Sequence, residues 1–254
     1  MSAPGVEALI NIVLILALVS ITAYYAHQVR KQTEIMREDR ERPQIVELMK
    51  GIVTPFIHQL EVEIRSLEKG EYEWDHRGKR AKNVNKLIGP ERILNDLKRK
   101  SPPLKEKIEN HNERCSILRE KLENLDKAIY TREFEEKCRD RVAEHNKKYR
   151  AGNPEFLSDG LIKNSPEVFV GHIIDNRKEL FSATRFHDFW RGHGAEFLEM
   201  RNRGDIKDKI DEIGSIAEEL KSLSQEIKDD LEQLREKYSQ KYHLLMGEIG
   251  FKEI

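Results

Sequence analysis

From residue 8 to residue 26 the chain runs nineteen positions without a charged side chain, and from His27 onward polar and charged residues dominate. A helix rising about 1.5 Å per residue needs about 20 apolar residues to cross a hydrocarbon layer, so this run predicts a transmembrane helix. A cleaved signal peptide would carry Lys or Arg ahead of a shorter apolar core, and residues 1–7 carry neither. Arg30, Lys31, Arg37, Arg40 and Arg42 crowd the opposite end instead. That asymmetry predicts a single-pass protein of the cell membrane, with residues 1–7 as an external N-terminal tail and the C-terminal domain cytoplasmic. Tyr24 and Tyr25 stand where interfacial aromatic anchors belong, and Asn11, Ser20 and Thr22 are the polar side chains within the span.

Beyond the span the pattern takes on a helical period. Ile45, Met49, Ile52, Phe56, Leu60, Ile64 and Leu67 recur every three or four residues, with Pro55 expected to kink or divide the helix they define. Residues 70–89 lose the period and read as a loop. Pro90 is placed to open a short helix over 91–100, which completes a juxtamembrane helical region, 27–100, with a basic loop. Ser101 followed by Pro102 looks like an N-cap and first helical position.

Two coiled-coil seams follow. Over 101–150, Leu104, Ile108, His111, Cys115, Leu118, Leu122, Leu125 and Ile129 alternate spacings of four and three; the phase slips near Arg132 and resumes at Cys138, Val142, His145 and Tyr149. Over 204–246 the seam is Ile206, Ile210, Ile213, Ala217, Leu220, Ser224, Ile227, Leu231, Leu234, Tyr238, Lys241 and Leu245, with Asp205 as N-cap and Gly247 and Gly250 as the stop before a tail at 247–254. Ser224 merely interrupts this seam and is expected to tolerate replacement by Leu.

Between the seams, residues 151–203 hold Phe156, Phe169, Phe181, Phe186, Phe189 and Phe197, six of the nine Phe in the chain, together with Trp190. This predicts a small aromatic helical head. The expected fold class is mainly α: a single N-terminal transmembrane helix, then long coiled-coil helices folded as an antiparallel stalk of about 60 to 70 Å, with the head joining the arms.

Charged residues make up 36% of the chain while the net charge is −1, a balance that suits helices laced with surface ion pairs. The two cysteines form neither a disulfide framework nor a CxxC pair. Basic residues concentrate over 76–107, where Arg77, Lys79, Arg80, Lys82, Lys86, Lys98, Arg99 and Lys100 form a candidate interaction patch. Residues 205–236 carry a net of −6. Pairing of these two regions within the chain is the first expectation, and contact with anionic lipid is the second. Nucleic acid ranks last: Trp74 is the one aromatic near enough to help stack bases, and no nucleic-acid motif accompanies the patch.

The chemistry of the sequence is sparse. No nucleotide, zinc-protease, serine-hydrolase or EF-hand pattern occurs, and no cofactor is expected. His187, Asp188, His193 and Glu196, within FHDFWRGHGAEF, are the candidate catalytic constellation, and Gly192 and Gly194 would let His187 and His193 converge on a metal. A His on an aromatic helix face is more commonly a packed, hydrogen-bonded residue. The expected function is therefore a membrane-anchored scaffold, tether or signalling adaptor rather than an enzyme, working through a helical protein partner or self-association. The alternative is a membrane-anchored enzyme or metal-dependent effector with its site in 154–200.

Overall fold

The computed structural model describes residues 4–149, 157, 166, 167, 169–171, 173–175, 187–244 and 249; at 4–10, 98, 187–191 and 198 it describes the backbone alone. Among these residues the protein is mainly helical. The elements are α1 (Pro4–Leu48), a π-helical turn (Met49–Val53), α2 (Thr54–Lys69), β1 (Trp74–Asp75), β2 (Arg80–Ala81), α3 (Glu91–Lys100), α4 (Pro102–Ile129), α5 (Arg132–Asn146), α6 (His187–Glu199), a 3-10 turn (Met200–Asn202) and α7 (Gly204–Tyr242). Contacts divide the chain into two compact units, 1–50 with 235–254, and 51–234.

In the first unit, α1 is long and apolar enough to cross a membrane. It holds an eighteen-residue window of mean hydropathy 1.8, none of which is buried by other parts of the chain. Ser20 and Thr22 within it donate to the carbonyls of Leu16 and Leu18, each at 2.8 Å, so these two hydroxyls find their acceptors inside the helix. Further along, the Tyr242 hydroxyl donates to Glu41 Oε2 at 2.6 Å, and Arg37 Nε meets the other carboxylate oxygen at 3.0 Å. These bonds hold the Glu41 carboxyl down at about 2, the Tyr242 hydroxyl contributing most. Helix α7 stops at Tyr242, short of the expected 246, because His243 adopts a left-handed conformation (φ 49°). Gly247 and Gly250, the expected stop, lie outside the described residues.

In the second unit, Pro55 falls in the first turn of α2 directly after the π-helical turn, and the chain stays helical from one to the other, with Val53 at φ −62° and ψ −52°. Helix α2 closes on Gly70 at φ 65°, with Gly70 N donating to Leu67 O and Glu71 N to Ser66 O, the paired bonds of a Schellman cap. The expected loop at 70–89 contains a minimal antiparallel hairpin in which Trp74 faces Ala81 and Asp75 faces Arg80.

A core cluster of this unit joins Leu67 of α2, Trp74 and Ala81 of the hairpin, α4 from Cys115 to Ile129, Phe134, Cys138 and Val142 of α5, Phe169 and Ile173, Phe197 of α6, and α7 from Ile206 to Leu220. On α4 all eight positions of the first seam up to Ile129 are buried. On α7, Ile206, Ile213, Ala217, Leu220, Ser224, Ile227 and Leu231 are buried, while Ile210 and Leu234 are half-buried. Ion pairs flank the two helices in opposite order, Lys107 with Glu226 and Asp230, Arg114 with Glu219, and Lys121 with Glu212. Exposed pairs of this kind are worth about 0 to 1 kcal/mol each, against about 1.5 to 3 kcal/mol for burying one Leu or Ile, so the apolar faces carry the stability and the pairs add register.

The first arm is not one helix. It breaks at Tyr130 and Thr131, and the Thr131 hydroxyl caps α5 by accepting from Phe134 N at 3.2 Å. The phase slip near Arg132 is this break. Among the aromatic residues of 151–203, Phe169 stacks on Phe197 (centroids 4.8 Å apart), and Phe134 of α5 meets Phe197 edge-on at 5.9 Å. Phe156, Phe181 and Phe186 lie outside the described residues.

Candidate functional site

A buried polar cluster lies among α2, α4 and α7. On α4, His111 and Cys115 are one turn apart and share the inward face, since residues four apart in a helix stack on one side. Glu63 enters from α2 and Ser224 from α7, and Glu63, His111 and Ser224 are fully buried. His111 Nε2 lies 2.7 Å from Glu63 Oε1, which also accepts from the Ser224 hydroxyl at 2.7 Å. Glu63 Oε2 is buried and has no hydrogen-bond partner. Cys115 Sγ sits 3.7 and 3.8 Å from the two ring nitrogens of His111. Burial, reinforced by the charge of Glu63, pushes the Cys115 thiol well above its ordinary value.

Asn112, the next residue on α4, orients the other side of the imidazole. Its Oδ1 lies 3.4 Å from His111 Nδ1 and accepts from Leu87 N at 2.7 Å, while its Nδ2 donates to Leu87 O. One donor atom each from Glu63, His111 and Cys115 falls within 4.8 Å of the others, the one such metal-competent group found among the described residues. Cys115 also lines a cleft of about 470 Å³ walled by Arg80, Val84, Lys86, Ile88 and Arg119, which gives the cluster an approach from outside.

A second buried carboxylate, Asp126 of α4, organises the hairpin. It accepts from Trp74 Nε1 at 3.1 Å, lies 2.6 Å from His76 Nδ1, and pairs with Lys79 Nζ at 2.5 Å. Trp74 is buried, and its backbone N–H donates to Asp175. It therefore presents no face on which a base could stack, which corrects the role weighed for it. Much of the basic patch is engaged at short range: Arg77 pairs with Glu167, Lys79 with Asp126, Arg80 with Asp75 and Arg99 with Asp96. Lys82 and Lys86 are exposed, Lys100 is half-buried, and the Lys98 side chain is outside the described residues. Of residues 76–107, Lys107 reaches the acidic stretch of α7.

The sequence-derived candidates on α6 fare differently from one another. The side chains of His187 and Asp188 are outside the described residues. His193 is half-buried, and desolvation lowers its basicity ahead of opposing contributions from Glu144 and Glu196. Glu196 is committed to cations: Arg141 grips both its oxygens at 2.9 and 3.0 Å and Lys137 lies at 3.0 Å. The Arg141 hydrogen bonds lead in holding its carboxyl down at about 2, where it stays ionised and makes a poor proton donor.

No family model, curated protein or solved structure matches this chain. The site therefore stands on its own residues.

Sequence reading placed His111 and Cys115 as seam positions and passed over Glu63. The signal was available: Glu63 sits three after Leu60 and four before Leu67, so it shares their buried face, while Ile64 is half-buried. Ser224 is corrected as well. It is a hydrogen-bond donor to a buried carboxylate, so Leu at this position would remove a needed partner.

Proposed function

We propose that the protein is a single-pass, N-out membrane anchor carrying a helical scaffold on the cytoplasmic side, which works by associating with other proteins rather than by catalysis. The observation that carries this reading is the uncovered apolar window of α1: a surface that nothing else in the chain buries needs lipid around it. The basic residues that follow the span, against none before it, support the orientation. The reversed order of the ion pairs between α4 and α7 supports an antiparallel coiled coil within one chain, with its outward charged faces open to a helical partner.

Topology is testable with single cysteines, because Cys115 and Cys138 are both buried and give little background. In intact cells a Ser2→Cys variant is expected to react with a membrane-impermeant thiol reagent, and Ser215→Cys, at an exposed position of α7, to react after lysis alone. The opposite pattern would overturn the cytoplasmic assignment. Ser239, whose hydroxyl is buried, is the wrong reporter for such an experiment.

A further inference from the structure

Three features of the α2–α4–α7 cluster have no explanation in packing alone. The first is the orphaned Glu63 Oε2: a buried carboxylate oxygen without a partner forfeits about 1 to 3 kcal/mol or more, and such an atom in a folded core calls for a reason, an ion among them. The second is the imidazole of His111. Both ring nitrogens face oxygens that accept, Glu63 Oε1 and Asn112 Oδ1, and the latter is fixed in orientation by its bonds to Leu87. A neutral imidazole carries one N–H and can satisfy one of them; a second proton or a metal cation at Nε2 resolves the conflict, and the orphaned Oε2 beside it favours the metal. The third is that one donor atom each of Glu63, His111 and Cys115 falls within 4.8 Å of the others, with the Cys115 sulfur 3.8 Å from Nε2, so a side-chain adjustment brings all three onto one ion.

We propose that Glu63 Oε2, His111 Nε2 and Cys115 Sγ bind one divalent transition-metal ion of the zinc class, which ties α2 to α4. The donor set suits the charge: thiolate and carboxylate together neutralise a 2+ ion, so the occupied site adds no net charge to a dry core. The outer contacts suit it too. Nδ1–H would donate to Asn112 Oδ1, and the Ser224 hydroxyl would hold Glu63 Oε1, the arrangement that orients ligating His and carboxylate groups in metal proteins. Binding exchanges the thiol proton for the metal and releases it to solvent, and the cleft alongside Cys115 provides the path. This inference does not depend on the anchor-and-scaffold reading, which stands or falls on topology.

The test uses the full chain in detergent, stripped with a chelator and titrated with Co²⁺. The expected result is stoichiometric uptake with a near-ultraviolet thiolate-to-cobalt charge-transfer band and the visible bands of a four-coordinate ion, its fourth position taken by water from the cleft. The band should vanish in Cys115→Ser and persist in Cys138→Ser, whose sulfur is the chain's other thiol. Glu63→Gln, which keeps an oxygen for Ser224, should weaken Co²⁺ binding at least tenfold, and added Zn²⁺ should raise the melting temperature of the unmodified chain clearly more than that of Glu63→Gln at the same concentration. A folded, unmodified chain that develops no thiolate band, or a band that survives Cys115→Ser, would overturn the proposal. Should Cys115→Ser fail to fold, the Zn²⁺-dependent melting of the unmodified chain against Glu63→Gln decides, and equal shifts in both refute it.

Discussion

Ser224 looks like an imperfection in an apolar seam and acts as a polar fastening. Its hydroxyl lies between Leu220 O and Glu63 Oε1, at 2.7 Å from each. Replacement by Leu removes a donor from a buried carboxylate and adds volume to a filled position; a loss of about 1 to 3 kcal/mol is expected, read as the urea midpoint in detergent. Ser224→Thr, which keeps the hydroxyl, should lose less. Asp126 is the other residue on which much hangs. Asp126→Ala strands the Trp74 indole N–H, which is buried, and releases Lys79, which can turn to water, so a cost of about 2 to 3 kcal/mol is expected, with hydrogen exchange rising first across residues 74–81. Glu196 supplies a pH signature. Its carboxyl titrates near 2 in the folded protein against an ordinary 4.5, so its pairing with Arg141 and Lys137 stabilises fully above about pH 4.5 and is lost as pH falls toward 2. Because Glu196 is about one-third exposed, solvent screens the pair and the effect is modest. The urea midpoints of the unmodified chain and Glu196→Gln should differ at pH 6 and converge near pH 2.

At the scale of elements, what was legible in the sequence is what periodicity encodes. The seam positions of α4 and most of those of α7 are buried as their spacing implied, Pro90 and Pro102 stand at helix starts, and the phase slip marks the break between α4 and α5. Leu220→Ala is accordingly expected to cost about 2 to 5 kcal/mol and Leu234→Ala, half-buried, clearly less, by the same urea measurement. Other features depend on contacts between distant residues, which no local pattern carries. The hairpin at 74–81 is one: it has few apolar residues and is pinned by Asp126 and Asp175, roughly 50 and 100 positions away. The polar cluster is another, since Glu63, His111 and Ser224 come from three helices, and His111 and Cys115 read as ordinary seam residues until Glu63 is placed beside them. The end of α7 was misjudged for a different reason. A glycine is the habitual left-handed residue at a helix end, and here His243 takes that conformation earlier.

At the scale of the whole molecule, charge near neutrality conceals separate local balances. Arg77, Lys79, Arg80 and Arg99 are each matched by a nearby carboxylate, and Arg77, Arg80 and Arg99 stay exposed together with Lys82 and Lys86. Lipid that copurifies with the full chain is therefore expected to mirror the headgroup composition of the membrane. Anionic enrichment that disappears in a Lys82→Gln, Lys86→Gln double variant, or on raising salt enough to shorten the Debye length from about 10 Å to about 3 Å, would assign this surface to the bilayer instead.

The bond from Tyr242 to Glu41 joins residues 201 positions apart, and this separation bears on biosynthesis. At about 5 to 20 residues per second, Glu41 leaves the ribosome roughly 10 to 40 s before its partner exists. The intervening helices have had time to form while the carboxylate that will receive Tyr242 is still waiting. Chains cut short before residue 242, by a stalled ribosome or a premature stop codon, would never close this contact and would leave the Glu41 carboxylate with Arg37 alone.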